Sequence, residues 1–117
     1  MQTIHIIIML LTIATGILAI IRPKTVADFT GLQMNHPRGL VEMYAGVGAL
    51  FIALGAAPLI LRHPIANQML GIAYLGIAAA RFPAMLIHKS FERSNWVSLV
   101  VEIIFGIVLL FPLYPVL

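Results

Sequence analysis

The chain has 117 residues, of which 62% are hydrophobic and only 9% charged, whereas a soluble domain carries about 45–50% apolar and about 25% charged residues. Its natural solvent is lipid, and a net charge of +3 with no basic run among aromatics excludes a nucleic-acid surface. With no cysteine, disulfides and thiolate metal sites are excluded as well.

Crossing a hydrocarbon core takes about 20 apolar residues in a helix. Four segments qualify, near residues 3–21, 39–61, 65–87 and 96–116. The first lacks the basic start of a signal peptide, and its apolar run exceeds the usual ~7–15 residues. It is read as a retained helix, with a weak stripe of His5, Thr12, Gly16 and Ala19. The connection after it, "RPKTVADFTGLQMNHPRG", is the only long polar one. Arg22 and Pro23 end the first helix, and the Asn35–His36–Pro37 run opens a turn. Between them a candidate cap at Thr25, with apolar Val26, Phe29 and Leu32, suits one or two interfacial helical turns as well as a plain loop.

In the second span Arg38 and Glu42 are four apart, and their side continues through Ala45, Ala49, Ala53 and Ala57. Small residues at this spacing let membrane helices approach closely. The row is therefore expected to face the other helices and to carry Arg38 and Glu42 inward. Gly46, Val47 and Gly48 lack the strand context of a nucleotide loop and read as helix packing. The connection "RHP" is short enough to make the second and third spans antiparallel neighbours. In the third span Asn67, Tyr74, Arg81 and His88 recur every seven residues and share one face. The polar "HKSFERSN" turns the chain into the fourth span, where Asn95, Ser98, Glu102 and Gly106 fall three and four apart. Phe91, Trp96 and Tyr114 sit where aromatic-belt anchors belong. His5, His36, His63 and His88 have no metal-ligand spacing and read as interface residues, and the methionines read as packing. No Ser/His/Asp or HExxH arrangement exists, so hydrolase machinery is not visible.

Backbone groups in lipid must be satisfied internally. The fold class expected is thus all-α, an integral membrane four-helix transmembrane bundle forming a single domain over residues 1–117. The first and third connections hold Arg22, Lys24, Arg38, Lys89 and Arg93, against Arg62 opposite. By the positive-inside rule both termini face away from the cytoplasm.

Arg81 falls about 10 Å inside its helix end at 1.5 Å per residue. A lone arginine at the bilayer centre costs about 2.5–3.5 kcal/mol on insertion scales. A carboxylate can meet the guanidinium fork in bidentate fashion. The pairs expected are Arg81 with Glu102 and Arg38 with Glu42, in one network with Tyr44 or Tyr74. Pro83 frees the carbonyl of Ala79 beside the same cluster. Such a network can serve only to fix helix register, or it can floor a ligand cavity in which Arg81 or Arg38 meets an anionic or carbonyl head group; proton or ion conduction is the third reading, although a relay usually needs more titratable steps than these two carboxylates.

The quoted segments also resemble a family. "AIIRPKTVADFTGL", "RGLVEMYAG", "AAARFPAML" and "LVVEIIFG" together look like the small bacterial four-helix membrane proteins of an uncharacterised domain-of-unknown-function family near the DoxX-like group. The likeness spans nearly the whole chain. It implies that architecture, a bacterial inner membrane and a buried set at Arg38, Arg81 and Glu102, but no reaction. Glu42 and the single glycine after Tyr44 depart from the pattern. The small multidrug exporters share length and helix count but carry their working carboxylate in the first helix, which here has no acid.

Three functions remain open on the sequence. The chain is an accessory or assembly subunit of a larger membrane complex, a binding protein for an amphiphile such as a quinone, lipid or sterol-like molecule, or a small dimeric transporter. No catalytic residue, metal site or cofactor is evident, although a bound cofactor could supply chemistry.

Overall fold

A computed structural model describes residues 3–111. They are helical, with no strand among them. Four helical stretches are long and apolar enough to cross a membrane. These are α1 (Thr3–Ile21), the composite stretch Pro37–Leu61, α5 (Pro64–His88) and α6 (Arg93–Leu110). Their 18 to 25 residues span about 27–38 Å at 1.5 Å per residue. The composite stretch is α3 (Pro37–Glu42), a π-helical turn region (Met43–Ala49) and α4 (Leu50–Leu61).

Two of the starts share one device. His36 and His63 are extended, as residues before proline must be, and each ring accepts the backbone N–H two residues on, from Arg38 at 3.2 Å and Ile65 at 3.1 Å. Pro37 and Pro64 then occupy first-turn positions, where a missing N–H is harmless. These two histidines cap the helices they precede, a role not assigned to them from the sequence. The fourth span starts three residues earlier than its hydropathy suggests and stops at Leu110. Phe111 is extended, because it precedes Pro112. Tyr114 and the rest of the expected fourth span lie outside the described residues.

The long polar connection contains a helix, α2 (Pro23–Thr30). It begins on Pro23 rather than at a Thr25 cap, and Gly31 closes it in the left-handed region at φ 78°, a conformation glycine adopts without a Cβ clash. Val26 and Ala27 turn inward, while Phe29 and Leu32 are exposed.

By contact the chain falls into two compact units. In the unit Ile6–Ile60, Ala19, Val26, Ala27 and Met43 form a core on which Met34 and Val47 pack. Here the alanine row proves wrong as the packing face. Ala45, Ala49 and Ala53 are exposed and Ala57 is half-buried, whereas Met43, Gly48, Gly55 and Pro58 are buried. The π-helical region explains the error. Its i→i+5 hydrogen bonds fit more residues into each turn, so four-residue spacing no longer marks one face. The glycines take over: a Cβ on Gly55 would lie 2.7 Å from the Met9 carbonyl oxygen, and one on Gly48 3.3 Å from that of Gly16.

The second unit takes Leu61 onward with the first turn of the chain through His5. Here α5 and α6 run together, and a Cβ on Gly71 would lie 2.8 Å from the Gly106 carbonyl oxygen. Backbones this close exclude any larger residue. Ala78, Met85 and Leu99 fill the interface beyond that crossing.

Candidate functional site

The seven-residue stripe of α5 and the stripe of α6 face each other. Asn67 and Tyr74 are buried, Arg81 is half-buried and His88 is exposed on α5; Glu102 and Gly106 are buried on α6. Both helices are regular here, so the spacing read from the sequence holds in space.

Arg81 meets Glu102 in a bidentate pair. Its Nε donates to both carboxylate oxygens at 2.9 and 3.1 Å, and Nη2 donates to Oε2 at 2.8 Å. Nη1 donates to Asn95 Oδ1 at 3.0 Å. The Glu102 side chain is 9% exposed and that of Arg81 29%. The arrangement puts a formally neutral ion pair between two apolar helices, with the guanidinium on its open side. Asn95 was legible as a stripe member but not as a partner of Arg81.

From Asn95 the polar chain runs to the α5–α6 turn. Its Nδ2 donates to the Ser90 hydroxyl oxygen at 2.8 Å and to the Ser90 carbonyl at 3.3 Å. The Ser90 hydroxyl donates to Glu92. That hydrogen bond, helped by the backbone N–H of Glu92 and by Asn95, holds the Glu92 carboxyl below its ordinary pKa. Lys89 sits in the left-handed region at φ 52° and closes α5. Phe91 and Trp96 stack at the same end, with ring centroids 6.2 Å apart.

A groove of about 550 Å³ opens beside the pair. Ile77, Ala80, Ala84 and Met85 make its apolar wall, and Arg81, His88, Ser90 and Asn95 supply polar groups. An apolar concavity with a few converging polar atoms is the usual form of a small-molecule site.

Three of the expected members, Arg38, Glu42 and Tyr44, belong to the other unit. Arg38 and Glu42 do pair, four residues apart on α3, but their side chains are 69% and 61% exposed. They do not point into the core; an exposed i,i+4 pair contributes about 0.3–0.5 kcal/mol. Tyr44 is exposed on the π-helical region. Tyr74 is buried, its ring edge-on to Phe105 at 5.5 Å.

The stripe His5, Thr12, Gly16 and Ala19 is buried as its spacing suggested, but the role of His5 could not be read from the sequence. Its Nε2 donates to the carbonyls of Val108 at 2.7 Å and Phe111 at 3.2 Å at the end of α6. Helix ends leave such carbonyls unpaired, so the ring serves as a cap from another helix. Its Nδ1 accepts from Asn67 Nδ2 at 3.4 Å, and Asn67 Oδ1 stays buried without a partner among the described residues. No group of three metal-ligating side chains occurs among the described residues.

Compared with known proteins, residues 1–113 match the model of a domain of unknown function, DUF4345. No curated protein matches the chain, and no solved structure does.

Proposed function

The chain belongs to the DUF4345 family, whose description carries no activity, and from the site itself we propose that it is a membrane protein binding an amphiphile in the α5–α6 groove. The carrying observation is the position of Arg81. A guanidinium already matched by Glu102 lines an apolar groove, so it offers directed N–H donors without an unmatched charge in lipid. The head group of a quinone, a lipid or a sterol-like molecule would meet Arg81 and Asn95 while its tail lies along Ile77, Ala80 and Ala84. The proposal includes a bacterial inner membrane, kinship with the DoxX-like group from the quoted segments, and non-cytoplasmic termini from the bias of Arg22, Lys24, Arg38, Lys89 and Arg93. The Arg81 end of α5 would then face the cytoplasm, with Phe91 and Trp96 anchored at the head-group level.

Native mass spectrometry after mild-detergent purification tests this reading. The 12.8 kDa chain is expected to carry a small molecule, and Ala80→Trp, which adds bulk to the groove wall while leaving Arg81 and Glu102 themselves unchanged, is expected to release it. A chain bare of small molecules in both forms would refute the reading.

A second reading, an accessory subunit of a larger membrane complex, is favoured by the exposed row Ala45, Ala49 and Ala53, since exposed small residues suit close helix approach. It expects a stoichiometric protein partner that Ala49→Leu displaces.

A further inference from the structure

Resting on the amphiphile-binding reading, we propose that the groove selects a neutral carbonyl head group, an ester or ketone, over an anionic one. A guanidinium carries five N–H donors. Glu102 and Asn95 take three of them, on Nε, Nη1 and Nη2. One N–H on Nη1 and one on Nη2 remain, and Arg81 lines the groove. Two donors on neighbouring nitrogens match the lone pairs of a single carbonyl oxygen.

Charge decides against the anion. Among the described residues, Arg81 is the only lysine, arginine or acidic residue lining the groove, and Glu102, 9% exposed, already balances it. An incoming carboxylate would lose its hydration and find a neutral pair. If it drew Arg81 away, Glu102 would be left as a buried, unpaired charge. A neutral carbonyl accepts the two remaining N–H groups and disturbs neither partner. The Ser90 hydroxyl is committed to Glu92 and the Asn95 amide to Ser90, and the exposed His88 ring, the other polar group on the lining, offers a donor that serves an ester as readily as a carboxylate.

The single tryptophan, Trp96, is not on the lining but directly follows Asn95, which is, and so serves as the probe. Bromine quenches indole fluorescence at short range, so dibromostearic acid and its methyl ester compare two head groups on one tail. The measurement uses the full chain in neutral lipid nanodiscs, in buffer alkaline enough to keep the acid ionised. Saturable quenching by the ester, reversed by unbrominated methyl stearate, is expected at a concentration about tenfold lower than for the acid. Glu102→Gln, which leaves Arg81 unbalanced, should reverse the order. Acid binding as tightly as ester in the unaltered chain would overturn the selectivity while leaving amphiphile binding intact. Quenching that never saturates with either probe would overturn both. If Glu102→Gln fails to fold, the ester-to-acid ratio of the unaltered chain still decides.

Discussion

Replacing Arg81 by leucine alone is expected to cost about 3–5 kcal/mol of stability, and replacing Glu102 by leucine as well to restore most of it. The single change leaves a carboxylate that is 9% exposed without its cation. The double change leaves two leucines facing each other beside Ala78, Met85 and Leu99, in a setting already apolar. Thermal unfolding in detergent would show a large loss followed by recovery. The Arg38–Glu42 pair supplies the contrast. With side chains 69% and 61% exposed, Arg38→Leu should shift stability by no more than about 0.5 kcal/mol. Equal losses at Arg38 and Arg81 would mean that burial does not separate the two pairs. The ligand is read separately from stability: a double variant that folds yet retains nothing in the groove would assign Arg81 to binding as well as packing.

The second large effect is at the glycines. Gly16→Ala is expected to destabilise by about 1–3 kcal/mol, because its Cβ would meet the Gly48 carbonyl oxygen and lie 2.8 Å from the Ile52 backbone nitrogen. Backbone atoms cannot rotate aside as a flexible side chain can. Gly76→Ala, on the same kind of helix but with nothing within 4 Å, should instead stabilise by about 0.5–1 kcal/mol through the entropy of the unfolded chain. Opposite signs from one chemical change, compared by thermal unfolding, would show that contact rather than helix propensity sets the cost. Two losses of equal size would show that the helices do not approach at Gly16.

Regular helices made part of this molecule legible. The four long apolar stretches and the stripes Asn67–Tyr74–Arg81 and Asn95–Glu102–Gly106 rest on a 3.6-residue period, which α5 and α6 keep. Arg81 and Glu102 could be paired on that basis alone. The same reasoning failed across Met43–Ala49, where the π-helical turns put Ala45, Ala49 and Ala53 outside and Gly48 inside. Nothing in the spacing announces such a turn. The capping roles of His36 and His63 were open to reading, since each precedes a proline that opens a helix. His5 was not: its main partners are the carbonyls of Val108 and Phe111, and every residue has a carbonyl. The groove is likewise a matter of shape, made where Ala80 and Ala84 leave room beside Ile77 and Met85.

Arg81 and Glu102 meet between α5 and α6, and the proposed function places that pair inside a bilayer. Solid-state NMR in lipid, with arginine nitrogens and glutamate carboxyl carbons labelled in an Arg38→Gln, Glu42→Gln background, measures this contact directly. The account predicts strong dipolar coupling between the Arg81 side-chain nitrogens and the Glu102 carboxyl carbon, as N–O contacts of 2.8–3.1 Å require. A guanidinium coupled to lipid phosphorus, with no coupling to that carboxyl, would contradict it.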